Sequence, residues 1–204
     1  MLTTLLRQSA AGLRVLLVMT VLLGLAYPFA IYGVSWIPGL HAKAEGSLVE
    51  VDGRVVGSEL IGIDPVASGS RDPYFHTRPS ASSKNVLGPG DPSVSGGSNR
   101  AGDSPALLDA VTKRRELIAA REGVAPADVP PDAVTASGSG VDPHISPAYA
   151  QLQVPRVARV TGLSQDQVRA LVAEHTTGRP LGFLGNPAVN VLALNLAVQR
   201  DRAG

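Results

Sequence analysis

From Val15 to Ile37 the chain shows no alternation of apolar and polar positions, because no residue in that stretch carries a charge. A helix needs roughly 20 apolar residues, at about 1.5 Å each, to cross a hydrocarbon layer of about 30 Å. Residues 15–37 are therefore read as a single transmembrane helix. Arg7 and Arg14 lie on the N-terminal flank, which has no Asp or Glu. That asymmetry places residues 1–14 in the cytoplasm and residues 38–204 outside it. A cleavable signal peptide competes, since the start is basic and Ala42-Lys43-Ala44 has the small-x-small form. Its apolar region would span only about 7–15 residues, however, and this run ends in Tyr32 and Trp36, which favour the membrane interface. Within the span, Tyr27-Pro28 removes a backbone hydrogen bond, which either a neighbouring helix or a local adjustment must answer.

Beyond the span the periods change. Gly46 to Ile63 alternates around Asp52-Gly53, the strongest short turn signal, and predicts a β-hairpin. Residues 64–106 show little periodicity and are rich in Gly, Pro, Ser and Asn; a loop of that length is usually functional or disordered. Tyr74, Phe75 and Leu87 suggest partial anchoring of it. Ser104-Pro105 opens a helix that Gly123 closes, with Leu107, Leu108, Val111, Leu117 and Ile118 as its apolar stripe. Its Lys113-Arg114-Arg115 reads as a solvated face. After a Pro-rich connector (residues 124–131) and a Gly- and Ser-rich stretch (132–147), three helices are expected. They span Pro147 to Val160, Ser164 to Thr176 with the capping box Ser164-Gln165-Asp166-Gln167, and Pro187 to Arg200 with Asn186 as cap. The last also alternates as a strand would, at Val189, Val191 and Ala193. The fold class is α+β: one N-terminal transmembrane helix and one extracytoplasmic, loop-rich domain.

Composition narrows the function. Eighteen Lys and Arg balance 17 Asp and Glu for a formal net charge of +1, so no nucleic-acid footprint exists. The absence of cysteine excludes disulfides, thiolate metal sites and a Cys nucleophile. His41, His76 and His175 have no metal-ligand spacing, and no metal site is expected.

Three segments offer chemistry. Ser95-Gly96-Gly97-Ser98-Asn99 has small residues whose amides could form an anion nest, but it lacks the Lys of a P-loop; a structured turn is the plainer reading. Ser137 or Ser139 with Asp142 and His144 would supply the groups of a membrane-anchored serine hydrolase. Asp142 and His144 flank Pro143, however, so local hydrogen bonds holding a turn are the competing account. Tyr74-Phe75-His76-Thr77-Arg78-Pro79-Ser80 has a hot-spot composition. Tyr74, Phe75 and Arg78 are candidates for partner contact or for structuring that loop, with Ser137, Asp142 and His144 in the second loop.

Taken in order, the motifs resemble the C-subunit family of Kdp-type potassium-transporting ATPases over nearly the whole chain. They are the span with Tyr27-Pro28, Gly57-Ser58-Glu59-Leu60-Ile61-Gly62, Tyr74 to Ala81, Ser95 to Asn99, Val134 to Pro147, Gln153 to Ala158, and Asn190 to Ala197. The resemblance implies a non-catalytic, single-pass inner-membrane subunit of a high-affinity potassium uptake complex. Its partners would be a channel-like potassium-translocating subunit, a P-type ATPase subunit that hydrolyses the ATP, and a small single-span subunit. No stably bound cofactor is implied. The family has also been described as a catalytic chaperone raising the pump's ATP affinity, with Ser95 to Ser98 matching a segment likened to the ABC-transporter signature. Here that segment lacks the signature's Gln, and Gly62-Ile63-Asp64-Pro65 replaces the family's usual Gly-Gln-x-Phe.

Overall fold

The computed structural model describes residues 1–67 and 71–203. The chain divides near residue 48 into two units. In the first, α1 (Leu2–Val21), a π-helical turn (Leu22–Ala26) and α2 (Tyr27–Ser35) run on as one 34-residue helix, long and apolar enough to cross a membrane. It begins earlier than the expected span: residues 2–14 contain no Pro, and the single glycine, Gly12, lies inside α1 without ending it. The wide turn explains how Pro28 is tolerated. The Tyr27 amide reaches back five residues to the Leu22 carbonyl, so the ladder is re-registered just before the proline instead of broken. A short helix, α3 (His41–Ala44), follows, and the Trp36 ring stacks on His41 with centroids 4.9 Å apart.

The second unit opens with the expected hairpin, β1 (Leu48–Val51) and β2 (Arg54–Ser58). Asp52 and Gly53 both take left-handed φ, 51° and 72°, which matches the right-handed twist of the strands they join. Residues 62–104 hold no regular element among the described residues. Then come α4 (Pro105–Glu122), a 3-10 turn (Pro126–Asp128), α5 (Pro131–Val134), β3 (His144–Ile145) and α6 (Pro147–Thr161). α7 (Gln165–Glu174), β4 (Thr176–Thr177), a 3-10 turn (Pro180–Gly182), β5 (Ala188–Asn190) and α8 (Val191–Ala203) complete it. The strands form an antiparallel sheet in the order β3-β5-β4, with Ile145 opposite Val189 and Thr176 on its other side.

Two expectations change. The α4 stripe is narrower than predicted: Ile118, Ala119 and Glu122 are buried and Val111 packs half-buried against the core, whereas Leu108 and Leu117 are exposed. The ambiguous 187–200 segment is both strand and helix. The switch falls at Asn190, whose side-chain oxygen accepts the Ala193 amide at 3.1 Å, so Asn190 rather than Asn186 caps α8. Elsewhere, Ser164 and Gln167 form the reciprocal capping box and Gly123 (φ 71°) ends α4, whereas Ser104 stands at the N-cap position of α4 without a capping hydrogen bond from its side chain. The core joins Phe75 and Ile118 to Tyr149, Val154, Val189 and Leu194.

Candidate functional site

An extended stretch of the long loop, Tyr74 to Thr77, lies between α6 and α8 and is held there by side-chain amides. In an extended chain one residue points its N–H and C=O to one side and the next points them to the other. Asn195 of α8 pairs with Phe75, accepting its N–H at 2.7 Å and donating to its carbonyl at 2.9 Å. Gln153 of α6 pairs with His76 in the same manner, at 2.8 and 3.3 Å. Two amides thus replace two neighbouring strands. Between them the Phe75 ring enters the core and is 0 % exposed. That corrects its candidacy for partner contact: Phe75 structures the loop.

A charged network fixes the same stretch. The His76 ring sits with Nδ1 3.0 Å from Asp64 Oδ1 and Nε2 2.6 Å from Asp72 Oδ2. With a carboxylate at each nitrogen, the imidazolium is the form that donates twice. Burial pushes the His76 pKa down, but the Asp64 and Asp72 hydrogen bonds outweigh it and raise it above the usual value. Burial likewise pushes Asp72 up, and His76 and Arg156 overcome this to bring it to about 2. Arg156, almost fully buried, donates to the carbonyls of Asp72 (2.7 Å) and Tyr74 (2.9 Å), to Gln153 Oε1 (3.1 Å) and to Glu122 Oε2 (2.9 Å). Glu122 also receives Arg121, which bonds the Tyr149 hydroxyl, and burial pushes that phenol up to about 12. Gln153, Arg156 and Asn195 were not singled out from the sequence as site residues. Their signal was there: each interrupts the apolar face of a helix, Gln153 and Arg156 among Tyr149, Ala150, Val154 and Val157, and Asn195 beside Leu194 and Val198.

The two glycine-bearing loops meet. The Gly96 amide donates to the Ser139 carbonyl at 2.7 Å, and Ser95 Oγ donates to the same oxygen at 3.1 Å. A Cβ on Gly140 would lie 2.8 Å from the Gly96 carbonyl, and one on Gly97 3.1 Å from that of Gly138. The backbones touch where side chains would not fit. Ser95 to Asn99 is thus an ordered turn whose central amide is engaged, with Asn99 at φ 49°. In the second loop, Asp142 Oδ1 accepts the His144 amide at 2.9 Å, and Arg78 reaches Asp142 Oδ2 at 3.4 Å and the Ala136 carbonyl at 3.3 Å. Ser137 Oγ accepts the Gly140 amide and faces Ser139 Oγ. Among the described residues neither serine hydroxyl bonds the His144 ring, so no nucleophile-base pair is assembled and the hydrolase reading loses its support. Arg114 is tied as well, to the carbonyls of Val86 and Val134, rather than lying on a solvated face.

One surface of this unit is apolar. Val55, Val56, Leu60, Ile61, Ile63 and Val66 are all exposed, Leu60 at 59 % and Val66 at 70 %. Val56, Ile61, Ile63 and Val66 border a groove of about 370 Å³ whose other wall is Tyr74 with Leu192 and Leu196 of α8. Of the contact candidates, Tyr74 opens onto this groove, and Arg78 is half-buried against Asp142.

Residues 9–200 match a family described as "KdpC: K+-transporting ATPase, c chain". The chain is similar to a potassium-transporting ATPase KdpC subunit of Kineococcus radiotolerans, 52 % identical over 97 % of this chain and 96 % of that one. It is also similar to the proteins of that name from Sorangium cellulosum (50 % identical, 94 % of this chain and 96 % of that one) and Streptomyces coelicolor (45 %, 97 % and 94 %).

Proposed function

This chain belongs to the KdpC family of K+-transporting ATPase C chains, and from that membership we propose that it is a non-catalytic accessory subunit of a high-affinity, ATP-driven potassium uptake complex. It stabilises and assembles the channel-like and P-type ATPase subunits together with a small single-span subunit, and ATP is hydrolysed on the P-type chain. Residues 15–37 cross the cell membrane once, with residues 1–14 in the cytoplasm and residues 38–204 outside. The domain docks on the outer face of the channel-like subunit. Tethering in the bilayer raises the effective concentration, so a modest interface suffices.

The observation that supports this reading best is the apolar surface of the hairpin and its exit, Val56, Ile61, Ile63 and Val66, with Tyr74 in the adjoining groove. Exposed apolar patches of this kind mark interaction sites. The chaperone role for Ser95, Gly96, Gly97, Ser98 and Asn99 has weaker support, because the Gly96 amide already has its acceptor in Ser139. ATP would reach this chain only through the complex.

Purification in mild detergent from potassium-starved cells tests the reading. A P-type ATPase and a polytopic potassium-translocating protein are expected by mass spectrometry, and a Val56→Glu/Ile61→Glu variant is expected to lose them while keeping its thermal melt. Recovery of the unaltered chain alone would sink the subunit reading; full co-purification of the variant would move the interface elsewhere.

A further inference from the structure

Away from the apolar surface, Arg71, Arg121, Arg156 and Arg159 surround a basin of about 650 Å³ together with Asp72 and Val160. We propose that this basin binds a phosphate-class oxyanion, supplied either by a lipid headgroup or as free phosphate. The inference does not rest on the assembly role argued above.

The four guanidinium groups divide by their bonding. Arg121 and Arg156 are fixed: both hold the fully buried Glu122 carboxylate, through Nε at 2.7 and 2.9 Å, and Arg121 also holds the Tyr149 hydroxyl. Arg156 is engaged further by Asp72, Tyr74 and Gln153. Among the described residues Arg71 and Arg159 have no hydrogen-bond or ion-pair partner, and they stand on the rim. Two carboxylates, Asp72 and Glu122, face four guanidinium groups, which leaves the cleft electropositive between low-dielectric walls that focus the field. The fixed pair supplies that field with nothing left to order on binding, and the rim pair supplies free forks of N–H donors that fit phosphate oxygens bidentately. The internal ion pairs account for Arg121 and Arg156 but leave the other two arginines without a structural task. The basin also exceeds a bare phosphate, so it admits one that bears a substituent.

Titration calorimetry of the full chain in phosphatidylcholine nanodiscs, with inorganic phosphate at low ionic strength, reads the first source. Melting temperature with phosphatidylglycerol mixed into the disc reads the second. Saturable phosphate binding, weakened about tenfold or more in Arg71→Gln/Arg159→Gln, supports a free-phosphate site. A phosphatidylglycerol-dependent rise in melting temperature that this variant alone loses supports a headgroup site. Lys84→Gln/Lys113→Gln makes the same charge change elsewhere and should leave both readouts unaltered. The proposal is overturned if the lysine variant weakens binding equally, or if neither anion separates the arginine variant from the unaltered chain.

Discussion

Phe75 and His76 are neighbours with opposite tasks. Phe75 fills the core, so Phe75→Ala should leave a cavity and cost about 3–5 kcal/mol in urea unfolding. His76 makes stability depend on pH. Because its folded pKa is raised, its contribution is complete below the unfolded value of about 6.5 and is lost as pH rises through the folded value. Asp72, lowered to about 2, contributes above its unfolded value of about 4 and loses that contribution as pH falls toward 2. The clamp should therefore be firmest between about pH 4 and 6.5. Melting curves from pH 5 to 9 are expected to show decline at the alkaline end, and a His76→Gln variant should lose that decline. A pH-independent melt in the unaltered chain would contradict the clamp.

At the scale of elements, local signals were readable and long-range ones were not. The hairpin follows from Asp52-Gly53, and α7 from its capping box, because both are settled within four residues. The strand-to-helix switch at Asn190 is not local: β5 exists because β3 and β4 arrive from 46 and 13 residues upstream to pair with it, as His144 against Asn190 and Thr176 against Val189 show. The segment around Phe75 carried its aromatic signal in sequence, but its partners Gln153 and Asn195 lie 77 and 120 residues away. Gly62 is another long-range fit. Its amide donates to the Val141 carbonyl at 2.8 Å, and an added Cβ would meet the Asp142 carbonyl and lie 2.6 Å from Pro143 Cα. Gly62→Ala must shift backbone and should cost about 1–3 kcal/mol, read as a lowered denaturant midpoint.

At the scale of the whole molecule, the core among the described residues lies between Phe75 and Val198, and none of the residues of the N-terminal helix is buried. Residues 46–204 produced without the helix are accordingly expected to give a soluble domain with a single cooperative melt; a non-cooperative melt would show that the helix completes the fold.

The paired amides of Gln153 and Asn195 also act against self-association. An extended run with aromatic and β-forming residues, here Tyr74 to Thr77, normally presents two rows of backbone donors and acceptors on which another chain can add as a strand. At Phe75 and His76 both rows are occupied by side chains of the same molecule. The segment therefore keeps the rigidity of a strand without offering an edge from which a fibril could grow.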